Sequence, residues 1–218
     1  MSRGKNGQIE GVLFDWDGTL VDSYHADSAA YLAMFRDMGI AWGLPDLAEH
    51  YSPNWYDVYR AAQLPPARWD AADRSWRMHY AKHSPQLIPG AREVLEEARR
   101  HHHLGLVTSG DRDRVTRQLR EFRLTRVFRA RVCGGDTRLK KPHPAPLRRA
   151  LRCMSLPASA CVYVGDSQED LQMARSAGAR AIAVLGPFPT EKRLRAAKPD
   201  YLLESIRELP ALLENMRS

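Results

Sequence analysis

The sequence predicts an α/β protein with a Rossmann-like parallel-sheet core and an inserted all-helical unit. Three observations carry that prediction. First, three apolar strand-like runs, Val12–Asp15, Leu104–Thr108 and Cys161–Val164, each end in polar, reactive residues. Second, each is followed by a turn and, directly or after an insertion, by a helix-like segment, the βαβ alternation of a parallel sheet. Third, residues 22–88 contain no strand-like run but four of the five tryptophans, Trp42, Trp55, Trp69 and Trp76.

Taken in order, the β-branched run before Asp15 reads as a buried strand. Within the insertion, helical periodicity covers Ala29–Met38, Tyr56–Ala62 and Ala71–Ala81, and Pro89-Gly90 marks the return to the core. The expected division is therefore a core of residues 1–21 and 89–218 and a helical domain of residues 22–88. Core helices are expected at Arg92–His101, Arg112–Arg123, Pro146–Cys153, Gln168–Ala177 and Ile206–Asn215, with Gly178 stopping the fourth. Ala181–Leu185 and Tyr201–Leu203 read as further strands. Ligands of such sheets bind beyond the carboxyl ends of the strands, where the reactive residues converge.

A chain of 218 residues with 44% hydrophobic content forms one large domain or a core with a modest second unit. No apolar run has the length of a membrane span, and Ser2-Arg3-Gly4-Lys5-Asn6-Gly7 lacks the apolar stretch of a signal peptide. Cys133, Cys153 and Cys161 are odd in number and have no ligand-like spacing, so reduced thiols and a cytoplasmic location are expected. The net charge of +7 resides in residues 111–152, where fourteen Lys and Arg face four Asp and Glu. There Arg114, Arg117 and Arg120 share one helical face and Val115, Leu119 and Phe122 the other, which describes an amphipathic surface helix. A nucleic-acid site would need aromatic interleaving that this segment lacks.

Four constellations carry chemistry. Asp15-Trp16-Asp17-Gly18-Thr19 places two carboxylates at the end of a buried strand, where they are costly unless a cation or a reaction needs them. Gly18 and Thr19 offer a turn, a hydroxyl and backbone N–H groups to an anion. Thr108-Ser109-Gly110 presents hydroxyls and N–H groups at a helix start, which suits a phosphate. Lys140-Lys141-Pro142-His143-Pro144 sets a cation beside rigid backbone. Gly165-Asp166-Ser167-Gln168-Glu169-Asp170 puts two more carboxylates, four residues apart, at another helix start.

In this order and over essentially the whole chain, these motifs resemble those of the haloacid dehalogenase superfamily. Within it, the chain is similar to the phosphoglycolate phosphatase-like members with a helical cap after the first motif. The resemblance implies an Mg²⁺-dependent phosphatase that hydrolyses a small phosphomonoester through an aspartyl-phosphate. It makes Asp15 the nucleophile and Asp17 the acid–base residue. It gives Thr108 and Lys141 the phosphoryl group, with Gly18, Thr19, Ser109 and Gly110 beside them. Asp15, Asp166 and the backbone carbonyl of Asp17 would hold the metal, with Asp170 orienting its shell. The physical logic agrees: a carboxylate approaches a phosphoryl group only if cations offset the repulsion. Asp17 must carry a proton in the first step, so a raised pKa is expected from anionic neighbours or from cap closure.

Plainer readings stand beside these. Asp15 and Asp17 could form a solvated turn, Thr108 a helix cap and Asp170 a cap or an arginine partner. Lys140 competes with Lys141, which directly precedes proline as in the family pattern. His101-His102-His103 suits cations at a helix end better than a metal cluster, and His143 a surface position. Tyr51-Ser52-Pro53-Asn54-Trp55-Tyr56 breaks the helical pattern in the middle of the insertion. It is either a specificity loop, with Asn54 and Trp55 on the substrate, or filling for a small core. It departs from the small glycine-containing segment of phosphoglycolate phosphatases. Asp17 disfavours dehalogenase chemistry, and Lys82 as the only cap lysine disfavours phosphonate cleavage. A sugar phosphomutase of the β-phosphoglucomutase type and a non-catalytic phosphate- or partner-binding protein are the alternatives. The expected partner is a small phosphorylated metabolite, with neither membrane nor nucleic acid, and the expected assembly is a monomer or homodimer.

Overall fold

The computed structural model describes residues 8–216; the Ser2–Gly7 segment lies outside them. The described residues up to Val21, with those from Leu87 on, form one compact unit, and Asp22–Gln86 form another. In chain order the first unit begins with β1 (Gly11–Phe14) and reaches β2 (Val21–Asp22). The second holds α1 (Tyr24–Asp37), α2 (Leu44–His50), α3 (Trp55–Ala61) and α4 (Trp69–Tyr80), and β3 (Gln86–Leu87) ends it. The core resumes with α5 (Ala91–Ala98), β4 (His103–Asp111), α6 (Arg112–Glu121), β5 (Ala130–Gly134) and α7 (Ala145–Met154). It ends with β6 (Cys161–Gly165), α8 (Gln168–Ala177), β7 (Arg180–Val184), α9 (Glu191–Ala196), β8 (Tyr201–Leu203) and α10 (Leu209–Asn215).

The core sheet has six strands in the order β5-β4-β1-β6-β7-β8, all parallel. β1 is central because every one of its residues is apolar or glycine and buried on both faces. Val12 and Phe14 join one core cluster with Val94 and Leu95 of α5, Val115 and Leu119 of α6 and Leu213 of α10. Leu13 points the other way, to Leu147 and Leu151 of α7, Leu171 of α8 and Leu194 of α9. The period of two along β1 thus places helices on both faces of the sheet. β1 pairs with β4 on one side and β6 on the other, so the carboxyl ends of three strands meet at the switch in strand order. Along β4 the pairing with β5 shifts between Val107 and Asp111, which bends the chain at Thr108–Gly110.

The second unit is helical, and its centre is built from Met34, Phe35, Leu47, Val58 and Tyr59. Ser75 and His79 on α4 hold Asp37 at the end of α1, at 2.6 and 2.8 Å. Its only strand residues are the ends of the two-stranded β2–β3 pair, among the described residues.

Several sequence expectations need revision. The sequence pattern does not predict β5, α2 or α9. β5 is an edge strand carrying exposed Arg131 between buried neighbours, and the two helices are short. The helix expected over Arg92–His101 ends at Ala98. His102 then turns inward, with Nδ1 2.9 Å from the Ile9 carbonyl, and exposed His103 opens β4. The largest revision concerns α6: Arg117 and Arg120 are exposed, but Arg114 is buried.

Candidate active site

The carboxyl end of β1 delivers Asp15 to the sheet edge, where its N–H donates to the Val164 carbonyl on β6 at 2.9 Å. Backbone pairing therefore places Asp15 beside Asp166, which follows β6. Asp166 is buried, and its Oδ1 accepts from the Thr19 hydroxyl at 3.0 Å. The Thr190 hydroxyl donates to the Asp166 carbonyl at 2.6 Å, fixing that loop from the other side. Thr19 is itself fully buried, so its hydroxyl serves the carboxylate in this arrangement.

Asp170 follows in the first turn of α8, where a capping box with Ser167 sets its direction. Ser167 donates through Oγ to Asp170 Oδ2 at 2.7 Å, and Lys141 Nζ lies 2.7 Å from Oδ1. The same ammonium lies 2.7 Å from Asp15 Oδ1. Lys141 is 2% exposed. The Tyr163 hydroxyl sits 3.2 Å from Asp170 Oδ1 and 2.7 Å from the Val107 carbonyl, tying α8 to the end of β4.

One carboxylate oxygen from each of Asp15, Asp166 and Asp170 lies within 4.8 Å of the others. Burial pushes the Asp15 carboxyl up to about 7, against the pull of the Lys141 ammonium. Burial, with the charges of Asp15 and Asp170, also holds Asp166 well above the carboxylate range. Burial alone would lower Lys141, but the charges of Asp15 and Asp170 outweigh it and keep the ammonium protonated. One buried cation against three buried carboxylates leaves the cluster short of positive charge. Hard oxygen donors in that state fit a divalent cation.

The remaining motif residues fall in two places. Thr108 is buried at the bend in β4, and its Oγ accepts from the Gly110 N–H at 2.9 Å. Ser109 is half-buried beside it. The Asp17 carboxylate is not among the clustered metal-ligand oxygens of the described residues. Arg114 takes both its oxygens instead, Nη1 on Oδ1 at 2.8 Å and Nη2 on Oδ2 at 2.6 Å. In place of the purely anionic neighbours expected for Asp17, the structure sets a buried guanidinium against its carboxylate. Asn54 and Trp55 lie in the helical unit, Asn54 as the N-cap of α3 with Nδ2 on Asp57 at 2.9 Å. Trp55 packs on Tyr56, which stacks on Trp69 at 4.6 Å. His143 is exposed and accepts the Ala145 N–H at 3.1 Å, as a helix-start residue does.

Gly18 joins the two carboxylate motifs. Its φ is +81°, and an added Cβ would stand 2.2 Å from Asp166 Oδ2. Gly18→Ala is expected to displace Asp166, lowering stability by about 1–3 kcal/mol and divalent-metal affinity by about 10–100-fold. Thermal melting and a metal titration of activity read the two effects, and unchanged metal affinity would refute the link to Asp166.

A parallel sheet whose central strand ends in a buried carboxylate, with a lysine and two further buried carboxylates grouped around it, defines an α/β protein with an acidic site at the carboxyl ends of its strands. The chain belongs to the haloacid dehalogenase-like hydrolase family, whose model matches residues 12–184. It is 28% identical over 207 residues to the pyrophosphatase PpaX of Halalkalibacterium halodurans, covering 93% of this chain and 95% of that one. Among solved structures it is similar to CbbY from Rhodobacter sphaeroides in complex with phosphate, at 27% identity and a TM-score of 0.80. That match covers 93% of this chain and 96% of the other. A CbbY mutant from the same organism, in complex with xylulose-(1,5)-bisphosphate, matches at 26% identity with a TM-score of 0.80 and the same coverage.

Proposed function

We propose that this protein is an Mg²⁺-dependent phosphatase that hydrolyses a small phosphomonoester, with Asp15 as the nucleophile. The observation that carries the reading is Asp15 itself, buried at the end of the central strand between Lys141 and the Asp166–Asp170 pair. The phosphate and bisphosphate complexes of the CbbY structures support a small phosphorylated substrate. No helix of the described residues is long and apolar enough to cross a membrane. Three free cysteines support a reducing, cytoplasmic setting.

In the first step an Asp15 carboxylate oxygen attacks phosphorus, the bond to the leaving oxygen breaks, and Asp17 gives that oxygen a proton. In the second, water attacks the aspartyl-phosphate, the bond to Asp15 breaks, and Asp17 takes the water's proton. Lys141 places positive charge against the nucleophile, so that two anions can meet. Thr108 and Ser109 supply hydroxyl groups for the phosphoryl oxygens, while the Gly110 and Gly18 N–H groups, expected to share that task, are held by Thr108 Oγ at 2.9 Å and the Val21 carbonyl at 2.8 Å. Asp15 and Asp166 would hold Mg²⁺, with Asp170, already bonded to Lys141 and Ser167, fixing their places. The bound ion neutralises phosphoryl charge. The helical unit serves as the cap, and Asn54 and Trp55 contribute to leaving-group choice.

The reading is tested with 4-nitrophenyl phosphate: turnover is expected with Mg²⁺ and not with a chelator. Failure to hydrolyse it, or equal rates with chelator, would overturn the assignment. A linked pH effect is expected. Asp15 and Asp166 hold protons more tightly folded than unfolded, so between about pH 4 and 7 the metal-free fold loses stability as pH rises. Mg²⁺ competes with those protons, so it should raise the melting temperature more at pH 8 than at pH 5. A shift independent of pH would place the ion elsewhere.

A further inference from the structure

Arg114 is an unusual residue for its position. It sits in the first turn of α6, with its backbone N–H on the Asp111 cap at 3.2 Å, yet its side chain is only 9% exposed. Burying a guanidinium removes it from water, and well-packed apolar residues in such places are often as stable or more so. Packing therefore gives no reason for an arginine here.

Its contacts do. The guanidinium fork closes on both oxygens of Asp17, and Nη1 also reaches Gln118 Oε1 at 3.3 Å. Gln118 Oε1 in turn accepts from the Trp16 indole at 2.9 Å. Trp16 is fully buried and directly precedes Asp17, so four side chains close a ring: Trp16, Gln118, Arg114 and Asp17. Gly110 leaves the room for it. A Cβ there would stand 2.3 Å from Arg114 Nη2 and 3.1 Å from Asp17 Oδ2. The glycine expected to bind substrate thus makes space for the pair.

We propose that Arg114 is the positioning residue for Asp17, fixing where its proton is delivered and taken up; this rests on the phosphatase reading above. Arginine has donors only and does not itself exchange the proton. The two hydrogen bonds from the guanidinium, at 2.8 and 2.6 Å, fix the direction in which the Asp17 carboxyl group presents its oxygens. The proton passes from Asp17 to the leaving oxygen in the first step and from water to Asp17 in the second.

The test uses the dependence of kcat/KM on the leaving group, because kcat/KM reports the first, phosphoryl-transfer step. A good leaving group such as 4-nitrophenolate needs little proton donation, and phenolate needs much. Arg114→Leu is expected to cost phenyl phosphate at least about ten times more than 4-nitrophenyl phosphate, since proton donation contributes about 10²–10⁴-fold. In an Asp17→Asn background the same substitution should leave the ratio of the two substrates unchanged, because the residue it acts through is gone. Arg114→Lys, which keeps the charge without the fork, should fall between, and carries the comparison if the leucine variant does not fold. Equal losses on both substrates, or a changed ratio in the Asp17→Asn background, would overturn the proposal. Wild-type protein inactive on every aryl phosphate would instead overturn the phosphatase reading, and this inference with it.

Discussion

Asp15→Asn is expected to reduce phosphatase turnover by about 10⁴-fold or more, because an amide cannot form the phosphorylated intermediate. The same substitution should not destabilise the metal-free fold. Burial raises the Asp15 carboxyl to about 7, so its charge is held in place at a cost to the folded state. The sign follows: the wild type loses stability through Asp15 and Asp166 as pH rises from about 4 to 7, the asparagine variant lacks the Asp15 part of that loss, and its advantage grows across this window. Asparagine matches the carboxylate in shape, and Lys141 retains Asp170 at 2.7 Å. Steady-state assays and melting curves in chelator separate the two claims. A variant both inactive and markedly less stable would show that Asp15 holds the site together rather than carrying its chemistry.

Lys141→Met is the second large effect and has the opposite balance. It removes the ammonium from Asp15 and Asp170 and leaves them, with Asp166, as buried carboxylates. Truncating one partner of a buried ion pair costs about 3–5 kcal/mol, because the remaining charge is uncompensated. The penalty should shrink toward pH 5, where the carboxylates can take up protons. Mg²⁺ should restore part of the stability, since a divalent ion also answers the missing charge, without restoring turnover. Urea denaturation at two pH values, with and without Mg²⁺, measures this. A loss independent of both pH and metal would mean that Lys141 matters for its packing and not its charge.

The parts of this molecule legible in sequence were those whose cause is local. The run before Asp15 signals a buried strand because every residue suits burial, and Gln168–Ala177 is bounded by its own serine cap and Gly178. Asp166 and Asp170 are readable as a pair because four residues on a helix start share a side. Long-range partners left weaker marks. Thr19 looks like a substrate hydroxyl until β1 and β6 lie side by side and it meets Asp166. Arg114 looks like a surface arginine because Arg117 and Arg120 repeat it at helical spacing. A hint did exist: Gln118, four residues on, is also polar beside Val115 and Leu119. Two polar groups on an apolar flank of a helix indicate a buried partner. β5 escaped because exposed Arg131 interrupts a short run within the most basic segment of the chain.

The chain leaves the core and returns to it through neighbouring residues: Ile88 N–H donates to the Leu20 carbonyl at 2.9 Å. To the sheet, the helical unit is therefore a long loop whose two ends are already joined. Loop-closure entropy grows only logarithmically, by about 0.6 kcal/mol for each doubling of length. A segment of very different size could be spliced between those two residues with little change in the folding of the strands that carry the carboxylates. The size of the insertion is thereby separable in evolution from the site, one free to drift while the carboxylates stay tied to the framework.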